Sequence, residues 1–247
     1  YDALLPHVAR ADEIDQVSSR GYMMGYIGGG VLLAVNLVMI MVLPSIFPAL
    51  STGLMTRLSF VTVALWWFGF SLPLLFRVNE PTRKIELGEE GMNAVKASIT
   101  RLKNTFKDLK KYRDLSLGLL AFWVYANGIG TIITMATIYG KELNFSDITL
   151  IGTLLMVQIL AAPFALLFGW LAKRIGTKKA IYLSLTIYSV IAIVGYFMYH
   201  EWQFWALGAA VATVQGGSQA LSRSMIGKMM PKSKSAEFYG FFSVFEK

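Results

Sequence analysis

The chain has 247 residues, 55% of them hydrophobic and only 15% charged, whereas an ordinary soluble domain is about 25% charged. A formal charge of +8 invites a nucleic-acid reading, which fails once the basic residues are mapped, because they are confined to connections between long uncharged runs. Cysteine is absent, which excludes a disulfide framework and any thiolate metal site.

A bilayer core about 30 Å thick is crossed by about 20 apolar residues in helical form. Lipid offers free backbone groups no partner, so such segments must be helices. Six stretches qualify, at roughly 21–44, 56–76, 115–139, 148–172, 179–199 and 203–225. The expected class is therefore all-α, a polytopic membrane protein with six transmembrane helices and the start of another after Phe238. With Tyr1 first and a new apolar run opening at the end, the chain reads as an internal piece of a longer one.

The first stretch opens with Gly21, Gly25 and Gly29 at every fourth residue, with Gly28 and Gly30 beside them. Such a stripe lets another helix approach closely or move against it. Asn36 lies near the middle of this stretch. Pro44, Pro48 and Gly53 punctuate the connection to the second stretch, which has Trp66 and Trp67 at its centre.

Between the second and third stretches lies one long polar segment, Arg77 to Asp114. Within it Met92, Val95, Ile99, Leu102, Phe106 and Leu109 recur at steps of three and four, which is one apolar helical stripe. Lys96, Arg101, Lys103, Lys107, Lys110 and Lys111 lie off it. This pattern predicts a cytoplasmic surface helix resting on the membrane interface or on the underside of the bundle. A coiled-coil seam shares the spacing but would have barely three heptads.

The third stretch carries Asn127, Thr131 and Thr134, and ends at Gly140 and Asn144. The fourth has Gln158 near its middle and Pro163, which predicts a kink. The fifth holds only Ser and Thr, and His200 beside Glu201 and Trp202 reads as an interfacial residue. On the sixth, Gln215, Ser218, Gln219 and Ser222 cluster on one side, next to the small stripe Gly208, Ala212, Gly216 and Ala220.

Counting Lys and Arg by connection puts 21 on the side where the first stretch begins and two, Arg57 and Lys141, on the other. By the positive-inside rule the first side is cytoplasmic. The basic charge thus reports topology, and no nucleic-acid partner is expected. Basic residues at the stretch ends, Arg223 among them, are counted with the connections, so none of the six is expected to hold a charge inside. With two histidines and no cysteine, neither a metal site nor a nucleophilic triad is visible, and no cofactor or enzyme chemistry is expected.

Amides are the informative exception. Asn36, Asn127, Gln158 and Gln215 place an amide near the midplane of four stretches, the depth at which transporter solute sites lie. They either tie helices together or line one polar cavity. On this count four helices look inward-facing and two, the second and fifth, look peripheral. The candidate solute-binding residues are Asn127, Gln215 and Gln219, followed by Asn36, Gln158, Thr131 and Ser218, all hydrogen-bonding a polar solute.

The turn Gly169-Trp170-Leu171-Ala172-Lys173-Arg174-Ile175-Gly176-Thr177-Lys178-Lys179 resembles the signature between paired helices of the major facilitator superfamily, with Lys173 in place of its acidic residue. Both chain ends run from an apolar-Pro exit through a polar loop to a Gly-aromatic helix start. Gly21 and Gly240 stand 219 residues apart, a plausible half-length for a duplicated carrier.

Asp15-Gln16-Val17-Ser18-Ser19-Arg20-Gly21-Tyr22, Gln215-Gly216-Gly217-Ser218-Gln219-Ala220-Leu221-Ser222-Arg223-Ser224 and Ala236-Glu237-Phe238-Tyr239-Gly240 resemble the vacuole-effluxer family of that superfamily. Its fungal members are autophagy-related amino-acid effluxers of the vacuole. The resemblance implies the fifth to tenth of twelve helices. Residues 1–80 would then close an N-terminal bundle, 81–114 form a cytoplasmic linker, and 115–247 begin a C-terminal bundle. The third and sixth stretches would line a central cavity, the second and fifth would face lipid, and Gly21, Gly25 and Gly29 would sit at a contact between bundles.

The function implied is efflux of a small polar solute, an amino acid, by alternating access across a bacterial inner membrane, with a proton or sodium ion as coupling partner. The start of the chain also resembles glycoside–cation symporters, which would make the cargo a sugar. A non-transporting receptor or assembly factor on the same helices is the alternative of a different class.

Overall fold

The computed structural model of the chain describes residues 1–79, 93–108 and 111–246. Eight main helices follow one another: α1 (Ile14–Leu37, carried on through a wider π turn over Val38–Val42 to Ile46), α2 (Thr52–Arg77), α3 (Ala94–Asp108), α4 (Arg113–Glu142), α5 (Asp147–Ile175), α6 (Thr177–Tyr196), α7 (Glu201–Met229) and α8 (Ser235–Glu246). No strand occurs among the described residues. The π turn lies just before Pro44, which has no N–H to return to the carbonyl of Ile40, so the ladder loosens there. Ser51 and Ser146 start α2 and α5 by accepting the N–H of Leu54 at 3.2 Å and of Thr149 at 3.3 Å.

The connections match their residues. Asn144 adopts φ +59°, and Gly176, the single residue between α5 and α6, adopts φ +92°, where any β-carbon would be strained. α5 runs unbroken through Pro163.

α1, α2, α4, α5 and α6 are long and apolar enough to cross a membrane by length and composition. α7 has 29 residues, about 44 Å at 1.5 Å per residue, but its polar run from Gln215 to Ser224 keeps it out of that set. The sixth expected span is thus present as a helix whose composition is less apolar than its length suggests. Its burial offsets this, because thirteen of its residues are buried.

α7 is the hub, packed on α5, α6 and α1. The small stripe explains how. A β-carbon on Gly208 would run into Thr153 of α5, and one on Gly216 would meet the Ala165 methyl at 2.8 Å and the Ala161 carbonyl at 3.0 Å. On α1, Gly21, Gly29 and Gly30 lie against Arg223 and Gln158, whereas Gly25 faces open space. Leu115, Leu119 and Phe122 of α4 form a second core with Ile226 of α7 and Phe238 and Phe242 of α8.

The outer surface is apolar. α2 buries only Met55 and presents Phe60, Leu65, Trp67, Phe68, Phe70 and Phe76 outward, the last 82% exposed. An apolar face of this extent has lipid as its natural solvent. The second stretch, expected to be peripheral, thus buries little against the other helices of this chain. α6 buries one face on α7 through Ala180, Ile181, Ser184, Tyr188 and Ile191, and exposes Tyr182, Val190 and Ile193 on the other.

The helix expected between the second and third spans exists as α3. Its ends, Met92 and Leu109, and residues 80–92 lie outside the described residues. α3 packs on α8 through Ala97, buried Thr105 and the Arg101–Glu237 ion pair at 4.0 Å. The apolar stripe of Val95, Ile99, Leu102 and Phe106 is exposed and faces away from the helices of this chain. At its far end the Phe106 ring lies 6.2 Å from that of Phe241 on α8.

Candidate functional site

Two polar centres are built on α7, one at its middle and one at its C-terminal end. At the middle, the Tyr26 hydroxyl of α1 donates to Gln219 Oε1 at 2.7 Å, and Gln215 lies beside the same hydroxyl. On the α4 side, the hydroxyls of Tyr125 and Ser222 share a hydrogen bond of 2.6 Å. Ser218 and Ser222 also donate back to the carbonyls of Gln215 and Ser218, at 3.0 and 2.6 Å. A small open cavity of about 80 Å³ lies between α4 and α7, with Tyr125, Gly130, Ser218, Gln219 and Ser222 in its wall.

The seven candidate residues divide accordingly. Gln215, Ser218 and Gln219 come together around Tyr26, Tyr125 and Ser222. Asn36 instead accepts from Thr62 Oγ1 at 2.7 Å and ties α1 to α2. Gln158 packs its side chain against Gly29 and Gly30. Asn127 and Thr131 are exposed on α4 and bond within their own helix, Asn127 Nδ2 to the Trp123 carbonyl at 2.7 Å and Thr131 Oγ1 to the Asn127 carbonyl at 2.8 Å. The four midplane amides therefore make separate contacts and do not converge on one cavity in this arrangement.

The second centre was not foreseen from the residues. Arg223, expected outside the membrane helices, is 5% exposed inside α7. Its Nε donates to Ser18 Oγ at 3.0 Å, Nη2 to the Ser18 carbonyl at 3.1 Å, and Nη1 to Asp2 Oδ1 at 2.9 Å. The guanidinium also lies 4.8 Å from the ring of Tyr22. A buried charge persists only when its donors are met, and here α1 and the residues before it meet them.

One turn onward, Asp15 of α1 is also buried. It accepts from Ser224 Oγ at 2.6 Å, from Thr177 Oγ1 at 2.8 Å and from Lys228 Nζ at 2.6 Å, and Lys228 also donates to Thr177 at 2.9 Å. α1, the start of α6 and the end of α7 are thereby clamped at one point. Thr177 belongs to the signature turn in which Lys173 stands for an acid, and the acid at this clamp is Asp15, from a different helix. The signal was present but unread: Asp15 and Ser18 lie in one quoted motif, Arg223 and Ser224 in the other. Nothing in a single sequence says that two motifs some 200 residues apart face each other.

A family model described as "Vacuole effluxer Atg22 like" matches residues 6–247. Among curated proteins, the "Uncharacterized MFS-type transporter YxiO" of Bacillus subtilis is 37% identical over all of this chain and 57% of its own length. "Autophagy-related protein 22-2" of Aspergillus clavatus is 24% identical over 94% of this chain and 41% of its own length. "Autophagy-related protein 22" of Yarrowia lipolytica is 24% identical over 96% and 44%. The chain thus spans just over half the length of the bacterial relative and about two fifths of the fungal ones. No solved structure matches it. With the family match running over nearly all of the chain, from the first clamp residues on α1 to the end of α8, this polytopic helical protein belongs to the vacuole effluxer Atg22-like family.

Proposed function

We propose that the chain forms the fifth to tenth helices of a twelve-helix secondary transporter of the major facilitator type, which moves a small polar organic solute by alternating access. Residues 1–80 belong to one bundle, 81–114 to the cytoplasmic linker and 115–247 to the second bundle. The observation that carries this reading is the pairing of α1 with α7: a hydrogen-bonding cluster at mid-helix, Tyr26 with Gln215 and Gln219, lies above a charged clamp at the cytoplasmic end. A site at membrane depth with a closable end is what alternating access requires. The name of the bacterial relative, an MFS-type transporter, and the description of the matching family, a vacuole effluxer, point the same way.

The solute is bound by Gln215, Gln219 and Ser218, with Asn127 and Thr131 of α4 swinging toward them when the bundles rock and with Asn36 and Gln158 holding α1 in place. A neutral amino acid is the cargo favoured by the family resemblance, and a proton or sodium ion drives it across a bacterial inner membrane. The test is uptake by proteoliposomes carrying the full-length protein, with labelled leucine, tyrosine and a disaccharide, with and without a proton gradient. Saturable amino-acid flux is expected, falling about tenfold in an Asn127→Ala, Gln215→Ala, Gln219→Ala variant, since each lost hydrogen bond weakens binding by roughly 0.5–1.5 kcal/mol. Disaccharide flux alone would replace the cargo with a sugar, and unchanged flux in a well-folded variant would remove the site. No flux of any solute would favour a receptor that uses the exposed α3 stripe to hold a cytoplasmic partner, which a pull-down through residues 81–114 would identify.

A further inference from the structure

A polar cleft of about 170 Å³ opens between the cytoplasmic ends of α1 and α5, lined by Gln16, Ser19, Arg20, Leu166, Gly169 and Trp170. It lies apart from both centres described above. Ser19 in its wall is 1% exposed, and its hydroxyl has no hydrogen-bond partner, a cost that a buried polar group normally avoids. Arg20 is exposed and forms no ion pair among the described residues. Arg174 stacks over Trp170, a wall residue of the cleft, with its guanidinium carbon 4.1 Å from the ring centroid, so a second exposed guanidinium stands beside the cleft. The nearest carboxylate on α1, Asp15, is engaged by Lys228, Thr177 and Ser224. The cleft therefore has donors, positive charge and no free acid.

Its position names the source of the anion. Trp170 and the two arginines stand at the end of apolar helices on the basic side, the level of lipid headgroups. Below Arg20 the exposed residues of α1 continue as Met24, Ile27, Val31 and Val35. Below Trp170 those of α5 continue as Leu167, Leu166 and Ile159. Two exposed apolar rows thus run from the polar cleft toward the bilayer, one on α1 and one on α5.

We propose that this cleft is a binding site for one anionic phospholipid, whose phosphate accepts from Ser19, Arg20 and Arg174 while its chains lie against the exposed apolar rows of α1 and α5. Because α1 and α5 meet there, the lipid would bridge the two helices at their cytoplasmic ends.

The test is native mass spectrometry of the full-length protein released from micelles holding equal amounts of phosphatidylglycerol and phosphatidylcholine. One phosphatidylglycerol is expected to be retained in preference to phosphatidylcholine, with about fivefold lost for each basic side chain removed in Arg20→Gln and in Arg20→Gln/Arg174→Gln. Both arginines are exposed, so these variants keep the packed core. Ser19→Ala separates lipid binding from simple packing: it is expected to weaken phosphatidylglycerol retention, whereas a purely structural hydroxyl would leave retention unchanged and overturn its role. No preference between the two lipids, or a preference untouched by the arginine pair, would sink the proposal. Displacement of phosphatidylglycerol by millimolar inorganic phosphate would likewise overturn it, by assigning the cleft to a free anion.

Discussion

At Gly217 only a hydrogen fits, because a β-carbon would run into the ring of Phe168 on α5. Gly217→Ala is expected to cost about 1–3 kcal/mol through overpacking. Gly25→Ala, with no heavy atom within 4 Å of the added carbon, should gain about 0.5–1 kcal/mol from helix propensity. Thermal unfolding of the two purified variants should move in opposite directions, and equal midpoints would mean that α5 and α7 pack more loosely than described. The neighbouring stripe of Gly208, Ala212 and Gly216 is legible in the sequence as a period of four. Gly217 is one residue off that period, and its role depends on where Phe168 projects from another helix. Arg223 was illegible for a similar reason. A cation near the end of an apolar run reads alike whether it reaches for water or turns inward, and here the choice is made by Ser18 and Asp2, more than 200 residues away.

At the scale of elements, all six apolar stretches recur as helices, each beginning and ending within a few residues of its expected limits except α1, which starts seven residues earlier. Composition suffices for that, because a bilayer leaves the backbone no other choice. The orientation of α3 was half legible: the period of its stripe required a helix, and only the packing of Ala97 and Thr105 on α8 decides which face turns outward. The outward stripe is expected to lie in the membrane interface. With no cysteine in the chain, a single Ile99→Cys can carry an environment-sensitive fluorophore without background. In liposomes its emission should shift to the blue relative to the same label at Asn104→Cys, on an exposed polar position of the same helix. Identical, water-like emission from both would show the stripe standing clear of lipid.

At the scale of the molecule, the clamp joins α1 to α6 and α7 through side chains, and in the proposed transport cycle its strength would set how readily the clamped end opens. Asp15 is buried but Lys228 is a third exposed, so losing the carboxylate costs on the order of 1–3 kcal/mol through its bonds to Ser224, Thr177 and Lys228, enough to shift a two-state balance at that end. Asp15→Asn is therefore expected to lengthen the distance between spin labels at Arg10→Cys and Ile175→Cys, both exposed at that end. An unchanged distance distribution would mean that apolar packing of α1 on α5 holds the end shut without the charges. This arrangement was the least legible level: charge counting gives an expectation for the sidedness of each connection, but which helices touch is set by side-chain shape across long separations.

The same clamp has a consequence for how the protein is made. Asp15 and its partner Lys228 are 213 residues apart, so at roughly 5–20 residues per second the ribosome needs about 10–40 s between them. During that interval α1 is already in the membrane with a carboxylate that has no ammonium to meet, and must keep it at the aqueous surface. The last turn of α7 is therefore the moment at which α1 can settle, and release of the chain before residue 228 should leave the preceding spans inserted and the clamped end unsealed.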